Sequence, residues 1–299
     1  MSQIILETSL LSKRYGRVHA VDDLNLRIEK GMVFGLLGPN GSGKTTTLGM
    51  LLGVTSITSG GFTWFEDKPD HQVRKKIGAI LERPVFYPGY TAVQNLQVVE
   101  RIKDLDGKNR NEVLKMVGLY DRRNDPFDEY SLGMKQRLAI ACAMLCDPEV
   151  LILDEPTNGL DPKGISEIRE MILQIAGMGK TIILASHLLA EVQKVCTDFC
   201  VLREGKLIHT GKVNASLGDA EIIEVDALNR AKLLETLQNW GKTKSIKSDD
   251  TVPVLTAESG TTAEELNAYL ITHGITVNHL VKRSQSLEEQ FLEILNQNP

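Results

Sequence analysis

Between Met32 and Gly53 the chain passes from an apolar run, Met32-Val33-Phe34-Gly35-Leu36-Leu37, through a glycine-rich segment, Gly38-Pro39-Asn40-Gly41-Ser42-Gly43-Lys44-Thr45-Thr46, into an apolar-periodic stretch. No other segment restricts the fold as tightly, because strand, glycine loop and helix must follow one another in that order. The glycines let successive backbone N–H groups converge on one point, and the new helix turns its positive end toward the same point. Such a loop is a cradle for phosphate. Lys44 adds a mobile positive charge for β- and γ-phosphates, and the Thr45 hydroxyl can ligate Mg²⁺. The spacing G-x-x-x-x-G-K-T in a strand–helix context implies a nucleoside triphosphate, with residues Gly38 to Thr46 around it.

The rest of the composition narrows the setting. With 299 residues, 42% apolar and 24% charged, the chain suits one large domain or two unequal ones. A formal net charge of −5 argues against nucleic-acid binding by the protein as a whole and leaves a local basic patch open. The first residues lack a basic segment followed by an apolar core, so no secretion signal is read, and no apolar run reaches the ~18 residues of a spanning helix. The reading places the chain in the cytosol, with any membrane role carried by a partner. Cys142/Cys146 and Cys196/Cys200 each have i, i+4 spacing, which permits a metal pair, but their apolar surroundings favour reduced core thiols.

In chain order, Ile4 to Leu11 has strand character and Leu24 to Ile28 alternates as a half-buried strand would, with Lys13-Arg14-Tyr15-Gly16 between them. Tyr15 is either a packed surface aromatic or, just upstream of the loop, a platform for an adenine ring. Phe62 to Phe65 and Ile77 to Leu81 read as strands, the latter leading into Glu82. From Tyr90 to Asp147 the pattern is helical, and Ser131 is a plausible N-cap for a helix running to about Cys146. Val150 to Glu155 is a doubly buried strand ending in two carboxylates, at the end of a sheet where open α/β folds bind ligands. Adjacent residues diverge, so Asp154 is assigned to Mg²⁺ and Glu155 to the attacking water. Thr181 to His187 repeats the arrangement and delivers His187 at a strand end. Asn158 to Pro162 is a turn before another helix, and Val201 to Ile208 a hairpin about Glu204-Gly205. From about Gly218 the tail alternates strands and helices. Two Ser/Thr-x-x-Glu boxes start helices there, at Thr262 and Ser286. A regulatory, dimer-stabilising or purely structural role is open to it.

Together these segments resemble the nucleotide-binding subunit of ATP-binding cassette (ABC) transporters over roughly Ile4 to Leu217. The resemblance implies an α/β P-loop NTPase fold, a RecA-like core with an antiparallel β subdomain and a helical subdomain at about 90–149. The expected domains are 1–217 for ATP binding and 218–299 for a small C-terminal α+β extension. Tyr15 matches the adenine-stacking aromatic, Gly38 to Thr45 the Walker A loop, Val150 to Glu155 the Walker B strand, Asp161 the D-loop aspartate and His187 the switch histidine. Two matches depart from the family pattern. The signature is usually Leu-Ser-Gly-Gly-Gln, and here Tyr130-Ser131-Leu132-Gly133-Met134 keeps the Ser and the second Gly. The position that usually couples nucleotide to the membrane partner carries Glu82 rather than Gln, a carboxylate placed to meet Mg²⁺ or a water. Both departures, with Phe86-Tyr87-Pro88 and Ser186-His187-Leu188-Leu189, look like the bacitracin-resistance and lantibiotic-immunity branch of exporters.

The resemblance further implies ATP and Mg²⁺ as ligands, a separate multi-span membrane permease as partner, and a head-to-tail dimer. In that dimer Ser131, Gly133 and Met134 of one copy close over the ATP on Lys44 of the other. Glu155, His187, Lys44 and Glu82 form the expected catalytic set, and Thr45, Asp154 and Glu82 the metal set. The expected location is the inner face of the cell membrane, held through the permease. A soluble ABC ATPase acting on ribosomes or DNA is the competing class. One P-loop per chain and a short interval from Lys44 to Ser131 argue against it.

Overall fold

The computed structural model describes residues 3–81, 85–213, 220–248, 252–283, 287–289, 291 and 294. The chain divides into two units, Met1–Val213 and Asn214–Pro299. The junction expected near Leu217, and Glu82, lie outside the described residues. The last expected helix, Ser286 to Leu295, is described only at 287–289, 291 and 294, which are helical.

The first unit opens with β1 (Ile4–Tyr15), β2 (Val18–Leu24) and β3 (Arg27–Glu29). The single strand expected over Leu24 to Ile28 is broken in two, and Lys13 to Tyr15 belong to β1 rather than to a connection. The break has a physical cause. Leu10 and Asp23 take left-handed conformations (φ 48 and 50), Leu10 N–H donates to Asn25 Oδ1, and Asn25 Nδ2 donates to the Asp23 carbonyl. Asn25 is therefore spent on local bonds that end one strand before the next begins. Strand β4 (Val33–Leu37) and helix α1 (Lys44–Leu51) follow, and β5 (Ser59–Trp64) returns to pair with β1.

Helix α2 (His71–Lys75), strand β6 (Ile77–Ile80) and three helices come next, α3 (Ala92–Lys103), α4 (Arg110–Met116) and α5 (Leu132–Met144). A complete capping box, Thr91 with Gln94, starts α3. The remainder of the unit is β7 (Val150–Asp154), α6 (Pro162–Gly177), β8 (Thr181–Ser186), α7 (Leu189–Val195), β9 (Asp198–Arg203) and β10 (Lys206–Lys212). Six strands form one sheet in the order β10-β9-β4-β8-β7-β6, parallel apart from β10. Every residue of β4, β7 and β8 is buried, as their continuous apolar runs require of strands covered on both faces. Leu36, Ile152, Ile183 and Leu202 lie in one core cluster, each such side chain contributing about 1.5–3 kcal/mol by burial. The register places the site: Leu37 is opposite Ser186, and Asp154 opposite Ala185. Three strands thus end side by side.

The second unit consists of β11 (Ala220–Ala227), α8 (Arg230–Gln238), β12 (Thr243–Lys247), β13 (Val254–Glu258), α9 (Ala263–Thr272) and β14 (Val277–Arg283). Its antiparallel sheet has the order β12-β13-β11-β14, the split β-α-β arrangement of ferredoxin-like folds. Val225, Leu233, Leu255 and Leu266 belong to its own core. Strand β12 escapes the apolar pattern because it is an edge strand, and Lys244, Ser245 and Lys247 give it a polar face. Thr262 caps α9 with Glu265 in a complete box.

Candidate active site

The glycine loop begins where β4 ends. Gly38, Gly41 and Gly43 have φ of 152, 81 and 105. Gly43 has a second constraint, since a Cβ there would sit 2.4 Å from the Ala20 carbonyl oxygen. As N-cap of α1 it offers no side chain to the opening amides of the helix, which leaves them directed at whatever lies in the loop. The Ser42 hydroxyl is buried in the same turn and makes no hydrogen bond. The loop is thus built to hold an anion.

Lys44, 6% exposed, donates from Nζ to the carbonyls of Gly38 (2.8 Å) and Pro39 (3.3 Å) and lies 3.8 Å from Glu155 Oε1. Burial lowers its pKa, while the carboxylates of Glu155 and Asp154 act to raise it. Next along α1, the Thr45 hydroxyl donates to Asp154 Oδ2 at 2.7 Å. Asp154, the last residue of β7, is buried. Glu155 follows in a left-handed conformation (φ 48), with its N–H bound to the Ala185 carbonyl. That turn, rather than strand alternation alone, parts the two carboxylates. Glu155 Oε2 meets His187 Nδ1 at 2.8 Å, so with the carboxylate ionised Nδ1 carries the proton and donates. Lys44, Thr45, Asp154, Glu155 and His187 therefore converge at the ends of β4, β7 and β8.

A cavity of about 430 Å³ opens over the loop, lined by Asn40, Gly41, Gly43, Lys44, Thr45 and Thr46 together with Glu155, Val18, His19, Ala20 and Glu204. His19 and Glu204 carry no motif and are missed by sequence reading. Both come from hairpins, and the Glu204-Gly205 turn was the only signal for either. Tyr15 is 52% exposed and does not line this cavity, but it pairs across the hairpin with Val18, which does.

Ser131, Gly133, Met134 and Asp161 lie elsewhere. Ser131 caps α5 by accepting from Met134 N–H at 3.3 Å, and Asp161 caps α6 by accepting from Gly164 N–H at 2.9 Å. They share a second cavity of about 420 Å³ with Leu132 and Lys163, and no residue lines both cavities. The four cysteines are free, and among the described residues no three His, Cys, Asp or Glu side chains gather into a protein-only metal cluster. Burial pushes the Cys142 thiol up to about 11 and those of Cys196 and Cys200 higher still.

Residues 21–158 match the family model described as ABC transporter. The whole chain is 34% identical to the bacitracin transport ATP-binding protein BcrA of Enterococcus faecalis, over 98% of this chain and 97% of that protein. The chain belongs to the ABC transporter ATP-binding proteins. That match runs through the C-terminal unit, whereas the lantibiotic transport ATP-binding protein SrtF of Streptococcus pyogenes, 40% identical, covers 68% of this chain and 89% of its own. Among solved structures, cbiO1 of Clostridium perfringens, part of the ABC transporter complex cbiONQ, is 30% identical with a TM-score of 0.64, over 71% of this chain and 89% of its own. A dimeric ATP-binding cassette in a post-hydrolysis state with ADP and Pi is 26% identical with a TM-score of 0.62, over 71% of this chain and 100% of its own. This ABC protein is accordingly a P-loop ATPase that binds and hydrolyses ATP as a transporter subunit. No helix among the described residues is long and apolar enough to cross a membrane.

Proposed function

We propose that this ABC ATPase drives an exporter of amphiphilic peptide antibiotics or related drugs and lipids, from the inner face of the cell membrane and through a separate multi-span permease. The observation that carries the chemistry is the Lys44–Glu155–His187 chain of contacts beside the Thr45–Asp154 pair. Relatives named for bacitracin and lantibiotic transport support the cargo class.

Lys44 and the amides at the start of α1 hold the β- and γ-phosphates. Glu155 takes the proton of the attacking water, the Nδ1–H of His187 fixes the carboxylate in position, and contact of His187 with the γ-phosphate requires the imidazolium, whose second N–H donates. The hydroxyl of Thr45 and the carboxylate of Asp154 are hard oxygen donors 2.7 Å apart and fit Mg²⁺. Mg²⁺ supplies charge neutralisation at the phosphates when bound. Glu82 is assigned beside them from sequence. Tyr15 stacks on the adenine.

The separate cavities support the dimer mode. Ser131, Gly133, Met134 and Asp161 line a cavity that shares no residue with the one over the loop of their own chain. A second copy, packed head to tail, supplies them to the ATP held by Lys44. The permease docks in a third cavity of about 410 Å³, an apolar groove that includes Val85, Phe86, Tyr87, Val98 and Ile102. Val85 and Ile102 are 91% and 77% exposed, apolar surface that a partner helix would cover.

The test is Glu155→Gln. This variant keeps ATP affinity, loses at least about a hundredfold in turnover, and accumulates as a dimer in ATP by light scattering. From native membranes with ATP present, it carries down a stoichiometric multi-span chain. Turnover at the parental rate removes Glu155 from its role, and recovery of soluble partners alone defeats the exporter reading.

A further inference from the structure

Among the described residues, the nucleotide motifs leave one buried lysine, Lys13, unused. Lys13 is only 9% exposed, and it lies on β1 two residues before Tyr15. Its ammonium donates to the Ser56 carbonyl at 2.7 Å and to Ser56 Oγ at 3.1 Å. From that anchored position Nζ stands over the Tyr15 ring, 4.9 Å from its centroid. This distance is within the range of a cation–π contact.

We propose that Lys13 is a positioning residue for nucleotide affinity, acting through Tyr15. The inference rests on the reading of Tyr15 as the adenine platform. A tyrosine that is half exposed at a hairpin tip has rotamer freedom, which a stacked base must remove. The Lys13 ammonium restricts the ring before the base arrives, because it occupies one face and leaves the other for stacking. Its anchor sets where the ring stands. Ser56 belongs to the segment that leaves α1, the helix whose first turn holds Lys44 and Thr45. Two further bonds stitch the same places together, Thr58 N–H to the Ser12 carbonyl at 2.9 Å and Arg14 N–H to Thr58 Oγ1 at 3.0 Å. The base platform is thereby referenced to the phosphate-binding helix as well as to its own hairpin. Tyr15 pairs across the hairpin with Val18, which lines the loop cavity.

The experiment is a double-mutant cycle in steady-state ATP hydrolysis by the full chain, with Lys13→Met, Lys13→Arg and Tyr15→Ala. Lys13→Met is expected to raise KM for ATP about three- to tenfold and to leave kcat at saturation within about twofold, while Lys13→Arg restores most of the loss. In the Tyr15→Ala background Lys13→Met is expected to leave KM unchanged. An equal rise in KM in that background overturns the inference, because Lys13 would then act on the phosphates through its charge. An unchanged KM for Lys13→Met, with KM raised by Tyr15→Ala, overturns the inference alone. If Tyr15→Ala leaves KM unchanged, the platform reading fails first and the inference with it. Thermal melting of each variant accompanies the kinetics. Lys13→Gln replaces Lys13→Met if the latter melts before assay temperature, with the same outcomes deciding.

Discussion

Gly43 and Gly41 differ by one replaceable atom's surroundings, and that difference predicts two melting temperatures. Both are in the left-handed region, with φ of 105 and 81, where an alanine costs about 1–2 kcal/mol. At Gly41 an added Cβ meets nothing within 4 Å. At Gly43 it lands 2.4 Å from the backbone oxygen of Ala20 and 3.4 Å from Val21 Cγ2. A carbonyl in β2 cannot rotate away as a side chain would, so the loop must move and overpacking adds about 1–3 kcal/mol. At roughly 2–4 °C per kcal/mol for a unit of this size, Gly41→Ala should melt about 2–8 °C below the parent, and Gly43→Ala a further 2–12 °C lower. The assay is a melt followed by circular dichroism without nucleotide, which keeps ligand binding out of the comparison. Equal melting points for the two variants would refute the reasoning, since they would mean that the loop does not press on β2.

Three further outcomes follow from the geometry. His187→Ala removes the 2.8 Å contact to Glu155 and should lower kcat about a hundredfold with KM changed less than about threefold, read by phosphate release. Asp161→Ala deletes the 2.9 Å cap of α6 and should cost about 1 kcal/mol, or roughly 2–4 °C in Tm, with Asp161→Asn keeping most of it. Burial holds the His209 imidazole below its ordinary pKa, so the unfolded chain binds its proton more readily; stability is expected to fall as pH drops from the ordinary histidine value toward the depressed one. His209→Phe, which keeps the ring packed on Phe199, should narrow the Tm difference between pH 7.5 and 5.5.

Much of the site was legible because parallel strands covered on both faces cannot hide their apolar runs. β4, β7 and β8 each read as one, and the residue that breaks each run marks where the strand ends: Gly38, Asp154 with Glu155, and His187. Side-chain contacts between these strand ends were not legible. Nothing in the local sequence says that Glu155 reaches both Lys44 and His187, because that depends on a left-handed residue after β7. The antiparallel sheet was harder, since its register is set by bulges. One asparagine, Asn25, breaks an alternation that otherwise reads as a strand. His19 reaches the cavity only because β2 folds back beside the loop. Lys244, Ser245 and Lys247 concealed a whole edge strand, a place where solubility rather than burial sets composition.

The side-by-side ends of β4, β7 and β8 also set which length changes a gene for this protein can carry. One residue inserted inside β7 slides the strand by a step and turns every later side chain to the other face. Asp154 would then leave Thr45, and the carboxylate next in line would arrive a strand rise, about 3.3 Å, out of place. The same insertion between β5 and α2 moves no strand end relative to another. Reading-frame-preserving insertions should therefore survive in the connections and vanish from the three strands, drawing the catalytic edge of the sheet as gaps in a library of tolerated lengths.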